Sequence, residues 1–373
     1  MRYSVFLVGR STGASDDGHV MRSLAEHTLH ADRLGYDAVF LPDHHFTGYA
    51  PMSSDPFMWA AYMAGRTRNL HYGFSITNLP SHHPVRFAER VNLLEQLTGG
   101  RILVGIGSGT TPEETIGFGV DFQDAAGLME PQVETALKLW AKQPEDAPVS
   151  FGHGPYKGTL VQRLVPAGTS GSPRLMSVAL RESSTARAAK YAWPAFIPNF
   201  VPPLPDGNGP SAGFTRLFEA YRTALTAHGH PQQAVEEALS WTTHTYQCVH
   251  IADSDEQARE ELETILAAHQ EAMDRELPFN KTAEAVSGVE LKDPPRVTSE
   301  DWIRTWCLYG SPETVAAELQ GYADLGVGNI LMGFTTGPLT PERYALSERS
   351  LELFAREVKP LVKSPSHTTG NAR

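Results

Sequence analysis

Cysteine is nearly absent from this chain, which holds two cysteines in 373 residues. Cys248 and Cys307 are too few for a disulfide framework or for a zinc site built on several cysteines. Such a composition is typical of a protein that works in a reducing cytoplasm. We therefore expect a cytoplasmic protein whose fold rests on a hydrophobic core.

Positive charge and long apolar runs are also scarce. The 31 lysines and arginines are outnumbered by 43 acidic residues, which gives a formal net charge of −12. A large nucleic-acid footprint needs a basic surface, so this balance argues against a nucleic-acid partner. No apolar run approaches the roughly 18 residues of a membrane span, and the first one, residues 3–9, is too short for a secretory signal. The composition favours a soluble protein with a small-molecule partner.

Glycine fingerprints for nucleotides are missing as well. The stretch "VGRSTGASDDG" (8–18) lacks the G-x-G-x-x-G spacing, and no P-loop motif occurs anywhere in the chain. The later "GIGSG" (105–109) is explained as well by a tight turn as by a phosphate cradle. A doubly wound open sheet, which usually carries such a fingerprint after its first strand, is therefore the second choice of fold.

What the chain does contain is a regular alternation of strands and helices. Short β-branched or aromatic runs are followed by long amphipathic stretches almost from end to end. Eight runs have the pattern of strands, namely residues 3–9, 37–42, 71–77, 101–109, 174–180, 194–198, 242–251 and 328–334. Eight βα repeats without a long internal linker close most simply into one α/β domain, a (β/α)8 TIM barrel over residues 1–360.

Three segments depart from this alternation. The Gly/Pro-rich residues 144–172 predict a hairpin insertion. Residues 271–300 are long, polar and poorly periodic, which indicates a lid loop or a disordered insert. Residues 361–373 are expected to form a flexible C-terminal tail.

Barrel enzymes keep their chemistry at the C-terminal ends of the strands. That rule selects one candidate or group of candidates after each of the first five strands: Phe6; Asp43, His44 and His45; Ser75 to Asn78; Gly107 to Thr110; and Arg181 to Thr185. The two adjacent histidines diverge as the chain leaves its strand, so they do not easily ligate one metal ion. Acid–base chemistry and a loop without function both stay open for them.

The stretch "ALRESSTARAAK" (179–190) ends a strand and begins a helix. Ser183 or Ser184 as the helix N-cap explains it. Free amides at a helix start, several hydroxyls and the cation Arg181 would also bind a phosphate. The two interpretations are compatible.

Four blocks, in this order, carry a resemblance to a known family. They are "LPDHHFTGY" (41–49), "LPSHHPVRFAERVNLLEQLTGGRILVGIGSG" (79–109), "SVALRESSTARAAKYAWP" (177–194) and "YGSPETVAAELQGYADLGVGNILMGF" (309–334). With them the chain resembles the luciferase-like family of flavin-dependent monooxygenases, which includes the catalytic chain of bacterial luciferase.

The resemblance implies a barrel with FMN at its C-terminal face. Enzymes of this kind take reduced FMN from a separate flavin reductase, react it with O2 to a C4a-peroxyflavin and oxygenate an organic substrate, here expected to be an apolar aldehyde, ketone or aromatic. The protein orients the flavin and keeps water away from it. The resemblance further implies a homodimer, for which the helix at 84–98 could serve.

Residue roles follow from the same resemblance. His44 matches the catalytic histidine, with Asp43 and His45 as orienting neighbours, and an imidazole suits this role because it donates and accepts protons near neutral pH. Ser75–Ile76 falls where the family has a cis peptide under the flavin, and residues 271–300 match a mobile active-site loop. The cofactor-binding residues implied are Phe6, Ser75, Ile76, Gly107, Ser108, Ala179, Arg181, Ser183 and Ser184.

The sequence departs from the family pattern at the phosphate site. Gly107 and Ser108 stand where luciferase catalytic chains carry Cys-Arg, and a second arginine expected near 127–131 is absent. Arg181 could supply the missing charge. Otherwise FMN would be a dissociable substrate, or the cofactor would be the deazaflavin F420 of an F420-dependent oxidoreductase. A non-catalytic flavin-binding relative is the third alternative.

Overall fold

Parallel strands form a closed ring at the centre of the computed structural model, which describes residues 1–109, 111–169, 174–198, 209–290 and 293–363. Its strands are β1 (Arg2–Phe6), β2 (Ala38–Leu41), β3 (His71–Asn78), β4 (Ile102–Gly107), β5 (Val149–His153), β6 (Tyr156–Leu160), β7 (Leu175–Val178), β8 (Ala195–Phe196), β9 (Thr243–Tyr246), β10 (Cys248–Ile251), β11 (Cys307–Gly310) and β12 (Asn329–Met332). Eight of them close in the order β1-β12-β9-β8-β7-β4-β3-β2. The predicted eight-stranded barrel is therefore confirmed.

Side chains of the barrel strands alternate between the interior of the ring and the layer beneath the helices. The interior is filled by large apolar groups, among them Phe6, Phe40, Met176, Phe196 and Leu331. This packed interior is a floor rather than a pore, so a ligand has room only above it, at the strand ends.

Twelve α-helices surround the ring. They are α1 (Asp17–Arg33), α2 (Pro56–Ala64), α3 (Pro84–Thr98), α4 (Pro112–Gly117), α5 (Phe122–Ala141), α6 (Glu182–Lys190), α7 (Ala212–Ala227), α8 (Gln232–Ser240), α9 (Asp255–Ser287), α10 (Glu300–Trp306), α11 (Pro312–Leu325) and α12 (Pro341–Leu353) among the described residues. Five of these helices start with proline in the first turn, where its missing N–H costs nothing. The apolar stripes of the helices pack on the outward side chains of the strands and form the main core.

The predicted strand over 242–251 is in fact two strands. The chain breaks at Gln247, whose N–H donates to the carbonyl of Trp306 and whose carbonyl accepts from Thr336 Oγ1 at 2.6 Å. β9 stays in the barrel, whereas β10 pairs in parallel with β11 in a separate two-stranded sheet. The prediction missed the break because an apolar run does not show where its partner changes.

The insertion within 144–172 contains the antiparallel hairpin of β5 and β6. The prediction of a loop over 271–300 was wrong in its first half, because α9 continues to Ser287 with Pro278 inside it. Pairs one turn apart, such as Arg275 with Glu271, support this helix, and the proline removes only one of its hydrogen bonds.

Among the described residues, no helix is long and apolar enough to cross a membrane. Residues 364–373, most of the predicted tail, lie outside the described part of the chain.

Candidate active site

A cavity of about 480 Å³ opens where β3, β4 and β7 end. Among its lining residues are six that the sequence predicts as cofactor-binding: Ile76, Gly107, Ser108, Arg181, Ser183 and Ser184. Apolar groups, including Ile106, Val178 and Leu180, complete the wall. A cavity of this size, mostly apolar with a few convergent polar groups, has the character of a cofactor site.

The floor of the cavity depends on a fit between Ile76 and Gly107. A Cβ at position 107 would lie 1.7 Å from Cδ1 of Ile76, so no larger residue fits there while Ile76 keeps its place. The peptide bond between Ser75 and Ile76 is cis, as predicted. The Ile76 side chain thus occupies the space that any side chain at position 107 would need, which gives Gly107 a steric reason.

The polar end of the cavity lies at the start of α6. Arg181, rather than Ser183 or Ser184, is the residue that precedes this helix, and its backbone N–H donates to Ser184 Oγ at 3.2 Å. Because the first amides of a helix have no partner within it, they favour an anion at this position.

A second cation at this end was missed by the sequence prediction. Arg187 lines the cavity, and its guanidinium donates to Glu130 Oε2 at 3.0 Å and to Ser177 Oγ at 3.2 Å. Its Nε is buried and has no hydrogen-bond partner among the described residues. The spacing of Ser183 and Arg187, one helical turn apart, was the available signal.

His44 is held by a carboxylate that the sequence prediction also missed. Glu114 Oε1 accepts from His44 Nδ1 at 2.8 Å and from the backbone N–H of His45 at 3.0 Å. The Glu114 side chain is 2% exposed, whereas that of His44 is 35% exposed. Because Nδ1 carries the proton towards Glu114, the other ring nitrogen, Nε2, is left to accept or donate at the mouth of the barrel.

Asp43 does not orient His44, contrary to the sequence prediction. Its buried carboxylate accepts from the backbone N–H of Asn78 at 2.8 Å, from His82 Nε2 at 2.9 Å and from His45 Nε2 at 3.1 Å. Asp43 therefore ties the ends of β2 and β3 together, with His45 as one of its two histidine partners.

The charges of this group follow from its contacts. Burial by itself raises the pKa of Asp43, but the His82 and His45 imidazoles beside it more than offset this and hold the pKa well below its usual range. Burial lowers the pKa of His45, yet its hydrogen bond to Asp43 and the nearby carboxylates produce a net rise. Asp43 is thus ionised, and it favours the protonated form of His45.

Three of the nine predicted cofactor residues do not line the cavity. Phe6 packs among the interior side chains of the barrel, and Ala179 is fully buried in the layer between strands and helices. Ala179 points outward because it alternates with Val178 and Leu180, which do line the cavity. The third, Ser75, has a buried Oγ without a partner among the described residues.

The long helix α9 covers one side of the barrel mouth. Its residue Glu276 forms an ion pair with Arg10, which follows β1 and is almost fully buried. A cleft of about 330 Å³ lies between α9 and the loops that follow β1 and β2. Burial, followed by the charges of Glu114 and Glu276, raises the pKa of Glu113 on α4. The packing of α9 on α4 places acidic groups from both helices close together at the rim.

The fold and the cavity define a (β/α)8 barrel with a ligand site at the C-terminal ends of its strands. The family model for luciferase-like monooxygenase matches residues 1–329, and the chain belongs to that family. It is 28% identical over 243 residues to the alkanal monooxygenase alpha chain of Photorhabdus luminescens, which is 65% of this chain and 64% of that protein. The chain thus spans less than two thirds of the length of this curated relative.

Solved structures agree on the fold. The oxygenating constituent of 3,6-diketocamphane monooxygenase from Pseudomonas putida, in complex with FMN, has a TM-score of 0.71 at 17% identity, over 98% of this chain and 99% of that one. The coenzyme F420-dependent tetrahydromethanopterin reductase of Methanopyrus kandleri has a TM-score of 0.61 at 16% identity, over 97% and 99%. Both kinds of cofactor are therefore bound by proteins with this barrel.

Proposed function

We propose that the protein is the oxygenating component of a two-component monooxygenase that binds reduced FMN and uses O2 to oxygenate an apolar aldehyde, ketone or aromatic compound. The observation that carries this proposal is the single cavity that unites Ile76, Gly107, Ser108 and the start of α6. The chain's membership in the luciferase-like monooxygenase family and the FMN complex of the Pseudomonas putida protein support the proposal. A separate flavin reductase would supply the reduced cofactor.

The residues present fit a flavin mononucleotide. The apolar wall would cover the ring system beside Ile76, and the start of α6 with Ser183 and Arg187 would receive the phosphate. The unpartnered Nε of Arg187 is the kind of buried donor that an anionic ligand satisfies. When bound, reduced FMN supplies the electrons that activate O2.

His44 would act on protons at the mouth of the same barrel. With Nδ1 engaged by Glu114, Nε2 is the ring nitrogen that exchanges a proton or a hydrogen bond with cofactor or substrate. Glu114 fixes the tautomer and the ring orientation. The apolar cavity wall would exclude water from the bound ring system, which protects reactive species from hydrolysis.

A second candidate function is an F420-dependent oxidoreductase that transfers hydride and does not use O2. Gly107 and Ser108, in place of Cys-Arg, favour it because they remove one cation from the FMN phosphate site. The shared fold of the Methanopyrus kandleri reductase is compatible with it.

Cofactor binding separates the two. Titration of the protein with FMN and with F420, each reduced under argon and followed by quenching of tryptophan fluorescence, gives the preferred cofactor. We expect tighter binding of FMN, and rapid consumption of O2 when air is admitted to the FMN complex. Tight binding of F420 without O2 consumption would replace the first proposal by the second.

A further inference from the structure

The two cysteines of the chain lie side by side. Cys248 begins β10 and Cys307 begins β11, and the parallel register pairs them directly. Neighbouring strands are about 4.8 Å apart, which is within the Cα separation of about 4.4–6.8 Å that a disulfide needs. Their side chains are on the same face of the two-stranded sheet, and both are free thiols.

The surroundings of Cys248 are unusual for a buried thiol. Arg343 on α12 is 8% exposed, and its Nη2 donates to the carbonyl of Thr336 at 2.7 Å. Its Nε and Nη1 have no partner among the described residues. A buried guanidinium with two unsatisfied donors is costly unless a negative charge stands nearby, so Arg343 favours the thiolate form of Cys248 over the thiol.

The pKa values of the two thiols are shifted in opposite directions, each by its surroundings. A hydrogen bond from Cys307 lowers the pKa of Cys248 and outweighs the opposing effect of burial, and Arg343 and Thr336 lower it further. Burial raises the pKa of Cys307, as does the neighbouring Cys248. The Cys248 thiol is thus the more acidic of the two, and it accepts the hydrogen bond that Cys307 donates. Reactive cysteine pairs need this division between an attacking and a resolving thiol.

The pair lies beneath the helix that covers the barrel mouth. Leu262, Ile265 and Leu266 of α9 form one buried cluster with both cysteines. A bond between the two sulfurs would close a loop that contains all of α9 and α10. The N-terminal half of α9, which packs on the two cysteines, would then lie on a covalently closed loop.

We propose that Cys248 and Cys307 are a peroxide-reactive dithiol that forms a reversible disulfide. The Cys248 thiolate attacks hydrogen peroxide, an S–O bond forms as the O–O bond breaks, and the hydroxide released takes up a proton to become water. Cys307 then attacks the Cys248 sulfur, the S–S bond forms, and the S–O bond breaks with loss of a second water. In sum, two thiols and one hydrogen peroxide give one disulfide and two waters.

The test treats the full-length protein with hydrogen peroxide and counts thiols after denaturation. We expect both thiols to disappear together and to return with dithiothreitol. After proteolytic cleavage within 288–299, the two fragments should stay joined on a non-reducing gel and separate after reduction. Thiols that persist in excess peroxide, or fragments that separate without reduction, would overturn the proposal.

Single variants assign the roles. In Cys307→Ser, dimedone should label Cys248 as a sulfenic acid, whereas in Cys248→Ser the remaining Cys307 should stay a thiol. Arg343→Met should slow oxidation about tenfold or more, since one pKa unit changes the thiolate fraction tenfold, and Arg343→Lys should retain part of the rate. If Arg343→Met does not fold by circular dichroism, the lysine variant and Thr336→Val decide. Equal oxidation rates in folded variants and the parent protein would remove Arg343 and Thr336 from the mechanism.

Discussion

His44 illustrates how one contact decides what a residue can do. Its neighbour in sequence, Asp43, bonds two other histidines, and Glu114, seventy positions away, holds its ring. A histidine fixed at Nδ1 by a buried carboxylate has one ring nitrogen, Nε2, for chemistry. His44 and Glu114 therefore act as a pair in the candidate site: the carboxylate orients the imidazole, and the imidazole is the group that can exchange a proton.

Replacement of His44 tests that unit. His44→Ala should reduce product formation by about 10²–10⁴-fold and leave FMN binding almost unchanged, because the alanine removes a proton-transfer group and no part of the cofactor cavity. Glu114→Gln should cause a smaller loss, roughly tenfold or more, since a glutamine does not enforce the same tautomer. Rates measured with a flavin reductase and saturating substrate give the result. A His44→Ala protein with the parent rate would exclude this histidine from the mechanism.

Arg181 and Arg187, which line the polar end of the cavity, are expected to differ in their importance for the FMN phosphate. Arg187→Met should weaken FMN binding roughly 10- to 100-fold, the cost of one charge-assisted hydrogen bond, and should hardly change the binding of riboflavin, which lacks the phosphate. Arg181→Met is the matched control, and we expect a smaller effect because Arg181 is exposed. Fluorescence titration of the parent protein and both variants with both flavins provides the six affinities needed. If the loss were equal for FMN and riboflavin, Arg187 would have no specific role at the phosphate.

Glu114 and Arg187, which the sequence prediction missed, show why the roles of single residues are hard to predict from sequence. The strand ends could be predicted, and with them Ile76, Gly107 and the start of α6, because barrel topology fixes where strands end. Glu114 and Arg187 are helical, and their relation to the site depends on how α4 and α6 are rotated on the barrel. Likewise, His82 rather than His83 reaches Asp43, a choice that no pattern of adjacent histidines reveals.

At the scale of elements, α9 is where prediction and structure differ most. The sequence predicts a loop or disordered insert over 271–300 because the segment is long, polar and poorly periodic. Its support comes instead from charge pairs along the helix and from contact with α4. A polar helix that rests on few apolar groups at its distal end has low local stability, which is a requirement for an element that opens.

We propose that α9 acts as a lid, and this role predicts a change in protease sensitivity. Reduced flavin should slow cleavage within 288–299, because a filled cavity favours the closed position of the helix. Glu276→Gln should accelerate cleavage in the free protein, since it weakens the ion pair with Arg10. Arg275→Gln, which alters only the exposed pair with Glu271, is the matched control. Cleavage at the same rate with and without flavin would contradict the lid.

At the scale of the whole molecule, an exposed apolar surface on α2 and α3 favours a homodimer. Met58 and Tyr62 lie one turn apart on α2, Leu93 and Leu97 lie one turn apart on α3, and between 49% and 69% of each residue is exposed. The two helices pack against each other. Exposed apolar residues grouped on two packed helices are typical of an interface.

A charge introduced on this surface tests the dimer. Leu97→Glu should convert the protein from dimer to monomer in light scattering after size exclusion, because it buries a carboxylate in the apolar contact. Val161→Glu is the control, as this residue is equally exposed but lies just after the hairpin. A parent protein that is monomeric, or a Leu97→Glu protein that remains dimeric, would rule out this interface.

Stability should fall in mild acid for a defined reason. Burial lowers the pKa of His244 to about 4. The buried, neutral ring accepts a hydrogen bond from the Tyr322 hydroxyl and donates one to the carbonyl of Ile197. Between about pH 6.5 and pH 4, the unfolded chain binds a proton at this residue and the folded chain does not. The free energy of unfolding therefore decreases as pH falls from about 6.5 towards 4, by on the order of 3 kcal/mol from this group. In urea unfolding, His244→Phe should lose less stability over that range; an unchanged slope would contradict the assignment.

The closed ring has a consequence for how the molecule is made. β1 has β2 on one side and β12 on the other, and Ser4 Oγ donates to Asn329 Oδ1 at 2.8 Å. At roughly 5–20 residues per second, a ribosome takes on the order of 15–65 s to reach this last strand. Until then the first strand has an open edge, and the nascent chain must be kept from pairing with its neighbours.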